Sequence, residues 1–203
     1  MKYDENYYST GNYTGYAESA GRYTAMAREL IPFLKSVGVL LSPLSDRVVD
    51  FGCGYGFLIS AFLTEGHWQT SGVDISKHAL TICKLKKLEA RSTFAGGDIR
   101  TRLTFALDVF EHICDGEIPT LVRQMKTDYL LVRIPVRHNT KAGFVLKSSQ
   151  ADKTHITCEN KMWWRKMIML GGMEEVCRLR LGAIYDSEGV YCALFRNEVC
   201  QVC

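Results

Sequence analysis

The chain has 203 residues, which is enough for one well-buried domain and too few for two domains of ordinary size. Its composition, 47% hydrophobic and 23% charged, is typical of a globular protein, and a net charge of +3 gives no reason to expect a nucleic-acid or membrane partner. Without a long apolar segment or an apolar leader, the sequence predicts a cytoplasmic protein.

The spacing of the eight cysteines does not predict a disulfide or metal framework. Cys53, Cys83, Cys114 and Cys177 lie in apolar or motif segments without paired spacing, so we expect most of the thiols to be buried. The C-terminal pair, Cys200 and Cys203, has the C-x-x-C spacing. Zinc needs about four ligands, and the sequence offers no second pair.

The N-terminal segment is rich in tyrosine, with six between residues 3 and 24. Two interpretations stay open: an irregular arm on the surface, or a lid that closes over a ligand through tyrosine rings and hydroxyls. Apolar residues at three- and four-residue intervals then predict an amphipathic helix from Glu18 to Val37.

A glycine-rich loop follows the first predicted strand. Val48 and Val49 are typical of a buried parallel strand, and the apolar segment Phe57–Leu63 predicts a helix. A strand, a tight loop and a helix together point backbone N–H groups at an anionic ligand group. The loop carries an acid and three glycines: Asp50, Gly52, Gly54 and Gly56.

The spacing of these glycines argues against a nicotinamide cofactor, because Phe57 stands where G-x-G-x-x-G requires its third glycine. The pattern Asp-x-Gly-x-Gly-x-Gly resembles the first motif of class I S-adenosylmethionine-dependent methyltransferases. The resemblance implies that Asp50, Gly52, Gly54 and Gly56 hold S-adenosylmethionine. It also favours the lid interpretation of residues 1–40, since related enzymes cover the cofactor with an aromatic segment.

Two further strands end in acids that fit the same cofactor. Trp68–Ile75 predicts a second strand, and Asp74 lies eighteen residues beyond Gly56, a spacing that suits a contact to ribose hydroxyls. Ser76 is the predicted N-cap of the next helix. Thr93–Ala95 predicts a short third strand, after which the resemblance places Asp98 and Ile99 at the adenine. Ile75 and Asp108 complete the predicted cofactor contacts.

The fourth predicted strand, Leu103–Leu107, leads into Asp108-Val-Phe-Glu111-His112, for which three interpretations stay open. Glu111 and His112 cap a helix beside the cofactor, or His112 is a general base. In the third, a divalent metal is bound by Asp108, Glu111, His112 and a loop histidine, His155. This last site would resemble those of small-RNA 2′-O-methyltransferases and quinone-biosynthesis O-methyltransferases, with Asp108 and Ile113 departing from the RNA pattern.

The second half of the chain continues the alternation of helices and strands. The sequence predicts a long basic loop at 136–157 on the acceptor side, and a helix, Cys158–Leu170, with Met162, Trp163, Met167 and Leu170 facing inward. The remaining predicted elements are a helix at Ile118–Lys126 and strands at Tyr129–Pro135, Glu175–Leu181 and Tyr191–Phe195.

Asp152-Lys-Thr-His155, with Trp163-Trp164 downstream, resembles a segment of bacterial and phage methyltransferases often associated with sugar or cell-surface modification. The resemblance makes His155 a candidate acceptor-site base. Together these features predict one Rossmann-like α/β domain over residues 1–203, with 41–203 as its core. The sheet is expected to have seven mostly parallel strands, an antiparallel final strand, and helices on both faces.

The predicted reaction is S-adenosylmethionine-dependent methyl transfer to an oxygen or nitrogen of a small molecule such as a sugar. The predicted catalytic residues are Glu111, His112 and His155, without a required metal. The alternatives are metal-assisted O-methylation of an RNA 3′ end or a diol, a cofactor-binding regulator without turnover, and, most distantly, a dehydrogenase. Nucleic acid is a disfavoured partner, and the sequence does not predict an oligomeric state.

Overall fold

The structure is a computed structural model that describes residues 3–93, 100–139, 142–182 and 188–198. The chain divides into two compact units, Met1–Phe105 with Leu181–Tyr185 and Ala106–Arg180 with Asp186–Cys203. Among the described residues, every helix is too short or too polar to span a lipid bilayer.

The described strands form one seven-stranded sheet with the order β3-β2-β1-β4-β5-β7-β6. β2 pairs in parallel with β1 and β3, whereas β7 is antiparallel to β5 and β6. This arrangement confirms the predicted fold class, a mostly parallel sheet with a reversed final strand. The strands are β1 (Arg47–Phe51), β2 (Gln69–Val73), β3 (Ala90–Arg91), β4 (Thr101–Leu107), β5 (Thr127–Pro135), β6 (Met173–Arg178) and β7 (Val190–Asn197).

Two described α-helices precede β1, one follows each of β1, β2 and β4, and two lie between β5 and β6. Short 3-10 turns lie at Gly11–Tyr13, Tyr16–Glu18, Phe110–His112 and Asp115–Glu117. The helices are α1 (Glu5–Ser9), α2 (Ala20–Ser36), α3 (Phe57–Gly66), α4 (Lys77–Leu85), α5 (Ile118–Gln124), α6 (Lys147–Ala151) and α7 (Lys161–Leu170).

In the first unit, the buried residues follow the apolar periodicities that the sequence predicts. Val48 and Val49 of β1 are buried, and α2 buries Met26, Leu30 and Leu34, the face that the three- and four-residue intervals predict. Ser76 caps α4, since its hydroxyl accepts the N–H of Ala79 at 3.1 Å. These elements fix the ends of β1 and β2, where the predicted cofactor residues lie.

The described third strand lies earlier in the chain than the predicted one. β3 comprises Ala90 and Arg91, and Thr93 lies in a bend, while the rest of the predicted strand falls outside the described residues. The register with β2, Gly72 opposite Ala90, is set by how far α4 and its return loop carry the chain. Local β-propensity does not encode that distance.

In the second unit, two of the four residues predicted to face inward on α7, Trp163 and Met167, are half-buried, and the other two are exposed. Trp164 and Ile168 are fully buried, whereas Met162 is 62% exposed and Leu170 is 54% exposed. The helix is apolar on nearly all sides, so the sequence periodicity did not distinguish its faces. The predicted loop at 136–157 also contains a short helix, α6.

Candidate active site

The glycine loop joins β1 to α3 in the first unit. The backbone φ angles of Gly54 and Gly56 are +50° and +72°, values that residues with a Cβ rarely adopt. A Cβ at Gly54 would collide with the Tyr16 hydroxyl, and one at Gly56 would lie 2.6 Å from Leu88 Cδ1. Both conformation and space therefore require glycine at these two positions.

The carboxylate of Asp74, directly after β2, holds this loop in place. One oxygen accepts the N–H of Gly54 and the other accepts the N–H of Ser76, each at 2.8 Å. Burial raises the pKa of Asp74, and these two amide donors oppose the rise. The N–H of Gly52 donates to Val73 O at 2.7 Å, so the same strand end anchors the loop twice.

Asp50 lies within β1, opposite Gly72 of β2, and is 5% exposed. Burial, reinforced by the negative charge of Asp74, raises the pKa of Asp50 to about 7. The structure therefore brings two predicted cofactor residues into electrostatic contact at the carboxyl ends of neighbouring strands. A cationic ligand group in this position would favour the ionised form of Asp50.

Tyrosines of the N-terminal segment cover the glycine loop. The Tyr8 ring lies 4.8 Å from that of Tyr55. The Tyr16 ring lies 5.1 Å from Tyr55 and 5.4 Å from Phe57, with its hydroxyl against Gly54. A ligand that approaches the Gly54 backbone must therefore displace the Tyr16 hydroxyl or hydrogen-bond to it.

The structure says less about three other predicted cofactor residues, Ile75, Asp98 and Ile99. Ile75 is 70% exposed beside Asp74. Asp98 and Ile99, the predicted adenine contacts, lie outside the described residues.

Asp108 follows β4 in the second unit, with a φ of +55°, and its carboxylate forms an ion pair with Arg133 of β5. Its backbone N–H also donates to Arg133 O at 2.7 Å. Sequence reasoning missed Arg133. A signal was present, since a lone cation in the apolar strand Leu130–Ile134 needs a buried partner.

Glu111 is fully buried in the 3-10 turn Phe110–His112. Its backbone carbonyl accepts the N–H groups of Ile156 and Thr157, at 2.8 and 3.0 Å. Neither carboxylate oxygen of Glu111 has a hydrogen-bond partner among the described residues. Burial, reinforced by the charge of Asp108, raises the pKa of Glu111 well above its usual range.

His112 is oriented by Thr154 and Asp152. Despite partial burial, hydrogen bonds from Thr154 lower the pKa of Asp152, so its carboxylate is ionised and accepts the Thr154 hydroxyl at 2.6 Å. Because that hydroxyl donates its only proton to Asp152, it can only accept from His112 Nδ1, at 3.0 Å. The proton therefore resides on Nδ1 of the neutral ring, and Nε2 carries the lone pair.

His155 completes a cluster with Glu111 and His112. Its Nε2 lies 3.8 Å from Glu111 Oε1 and 3.6 Å from Asp152 Oδ2, and its ring lies 4.6 Å from that of His112. Ligand atoms of Glu111, His112 and His155 all lie within 4.8 Å of one another. We call these three residues the Glu–His–His cluster; Asp108, the fourth predicted metal ligand, is not part of it.

Residues 48–129 match the family model described as a methyltransferase domain. This part of the chain is therefore similar to a methyltransferase domain. The match agrees with the predicted enzyme class. No curated protein matches the chain with significance.

Solved structures resemble the chain over most of its length. An S-adenosylmethionine-dependent methyltransferase from Archaeoglobus fulgidus has a TM-score of 0.63 and 16% identity, covering 88% of this chain and 94% of that one. The plantazolicin methyltransferase, solved with SAH, has a TM-score of 0.64 and 11% identity, covering 90% of this chain and 87% of that one.

The mitomycin 7-O-methyltransferase has a TM-score of 0.63 and 12% identity, covering 89% of this chain. The match covers only 54% of that protein, so the chain spans about half the length of this relative. At these identities the likeness to the three structures shows the fold.

Proposed function

We propose that the protein transfers the methyl group of S-adenosylmethionine to an oxygen or nitrogen of a small molecule. The observation that carries the proposal is the pair of buried carboxylates, Asp50 and Asp74, beside a glycine loop with positive φ angles. A loop of this kind lets a ligand approach its backbone, and Asp50 can pair with a cationic ligand group. Asp74 already accepts two backbone N–H groups, and its carboxylate oxygens have further lone pairs for ribose hydroxyls.

The acceptor class is supported by what similar proteins act on. The mitomycin enzyme is named a 7-O-methyltransferase, and the plantazolicin enzyme acts on plantazolicin. A sugar or another hydroxyl- or amine-bearing metabolite fits the proposed chemistry. The methyl group of a sulfonium is already activated, so transfer chiefly requires an aligned nucleophile and a general base that accepts the proton of that nucleophile.

Production of S-adenosylhomocysteine tests this proposal. Wild-type protein incubated with S-adenosylmethionine and a fractionated metabolite pool should form it only in fractions that contain an acceptor. Asp74→Asn, which weakens the bonds that hold Gly54 and Ser76, should lower the affinity for S-adenosylmethionine by at least about tenfold. Cofactor binding without turnover in any fraction would instead support the non-catalytic regulator, and binding of reduced nicotinamide nucleotides alone would support a dehydrogenase.

The Glu–His–His cluster is our candidate for acceptor activation. Replacing His155 by Ala should reduce kcat by about 100-fold while leaving the affinity for S-adenosylmethionine within about twofold. His67→Asn is the matched control, since His67 is exposed and has the left-handed conformation that Asn tolerates. Equal losses of turnover and cofactor affinity in the His155 variant would contradict the assignment.

A further inference from the structure

The Glu–His–His cluster places a buried carboxyl group without a hydrogen-bond partner beside two imidazoles in the second unit. Glu111 is fully buried, and its two oxygens have no hydrogen-bond partner among the described residues. An ionised carboxylate in such a position is costly without a cation. His155 Nε2, at 3.8 Å from Glu111 Oε1, is too distant for a hydrogen bond.

The distances between the ligand atoms of these side chains are too long for hydrogen bonds but suit two ligands of one metal ion. Nitrogen and oxygen ligands bind first-row divalent metals at about 2.0–2.2 Å, so two ligand atoms of one metal lie about 3–4 Å apart. The ligand atoms of the cluster lie within 4.8 Å of one another, and His155 Nε2 and Glu111 Oε1, 3.8 Å apart, already lie in that range.

Asp152 and Thr154 favour metal binding by the two imidazoles. Asp152, acting through the Thr154 hydroxyl, holds the His112 proton on Nδ1 and so leaves the lone pair on Nε2. Metal-binding histidines commonly have such an outer hydrogen-bond partner, which fixes both tautomer and ring orientation. Asp152 Oδ2 also lies 3.6 Å from His155 Nε2, so its negative charge favours a cation here.

We propose that Glu111, His112 and His155 bind one divalent first-row transition metal, such as Zn²⁺, Co²⁺ or Mn²⁺. Two imidazoles and one carboxylate match the ligand preference of these ions better than that of Ca²⁺ or Mg²⁺. The ligand set differs from the one predicted from the sequence, because Asp108 is paired with Arg133 and Asp152 acts by positioning His112.

Metal binding can be measured without methyl transfer, so its failure and that of the proposed function are distinguishable. The full chain, freed of metal by chelation, would be titrated with Co²⁺ and followed by visible absorption, and with Zn²⁺ and followed by calorimetry. We expect one ion per chain, with visible bands indicating nitrogen and oxygen ligation. The absence of binding at about 1 mM of either ion would overturn the proposal.

Substitutions of the proposed metal-binding residues would show which of them bind the ion. Glu111→Gln and His155→Gln should each weaken Co²⁺ binding by at least about 100-fold, and Thr154→Val, which removes the bond to His112, by about tenfold. The exposed residues Glu117 and His67 provide matched controls, and Glu117→Gln and His67→Asn should bind like the wild type.

Circular dichroism and S-adenosylmethionine binding would show that each variant is folded. If Glu111→Gln does not fold, His155→Gln decides the question. Unchanged Co²⁺ affinity in a folded Glu111 or His155 variant would place the ion elsewhere and refute this site.

Discussion

Asp50 and Asp74 lie close together with little access to water, so the charge of each affects the other. Asp74 has two backbone donors that stabilise its ionised form. Burial and the charge of Asp74 raise the pKa of Asp50, which makes ionised Asp50 a source of instability in the cofactor-free protein. A cationic ligand group beside Asp50 would stabilise its ionised form and so offset this unfavourable free energy.

This difference in pKa predicts a pH-dependent stability. The pKa of Asp50 is about 7 in the folded protein, against 3.8 for an ordinary aspartate. The folded state therefore binds more protons between these values, and stability should fall as the pH rises from about 4 to 7. Asn at position 50 cannot ionise, so Asp50→Asn should be more stable than wild type at pH 8, by at most about 4 kcal/mol.

Thermal unfolding of both proteins at pH 5 and pH 8 measures the effect. Asp50→Asn should also weaken S-adenosylmethionine binding, while the exposed control Asp115→Asn should change neither property. A variant that is less stable than wild type at pH 8 would contradict the direction of the pKa shift.

Gly54 provides a second residue-scale prediction. Gly54→Ala should lower the free energy of unfolding by about 1–3 kcal/mol, because its φ is positive and the added Cβ would collide with Tyr16. Gly21→Ala is the matched control, since a Cβ at Gly21 in α2 meets no atom within 4 Å. Chemical denaturation should show the control to be neutral or up to about 1 kcal/mol more stable, and equal effects at both sites would be inconsistent with this interpretation.

At the scale of elements, the N-terminal segment packs through aromatic contacts on the loop that is proposed to bind the cofactor. α1 and the 3-10 turn Tyr16–Glu18 bring Tyr8 onto Tyr55 and Tyr16 onto Gly54. The tyrosines form a cluster with Tyr55 and Phe57, which stabilises this position of the segment. We infer that the segment moves when cofactor enters, consistent with the predicted lid.

A single substitution tests this movement. Tyr16→Ala removes the hydroxyl that lies against Gly54, so S-adenosylmethionine should associate several-fold faster, as measured by stopped-flow fluorescence. Tyr3→Ala, a change in the same segment outside the contact with Gly54, serves as the control. Unchanged association in the Tyr16 variant would show that the segment does not limit cofactor entry.

At the scale of the whole molecule, the chain passes from the first compact unit to the second within a strand. Their boundary lies between Phe105 and Ala106, within β4 (Thr101–Leu107). A strand divided between two units cannot keep its full backbone pairing if one unit unfolds alone.

We therefore expect one cooperative unfolding transition. Differential scanning calorimetry should give equal calorimetric and van't Hoff enthalpies, and a fragment of residues 1–105 should not fold by itself. Two resolved transitions, or a folded fragment, would show that the units are independently stable.

The sequence by itself determined the alternation of strands and helices, the glycine loop and the acids Asp50 and Asp74, because these features depend on local periodicity and on spacing along the chain. It also predicted Glu111, His112 and His155 as site residues. Tertiary structure alone decided that these three share one cluster and that Asp108 pairs with Arg133. The bonds from Ile156 and Thr157 to Glu111 O join residues over 40 positions apart. Local patterns cannot specify such contacts, which arise only when packing brings distant segments together.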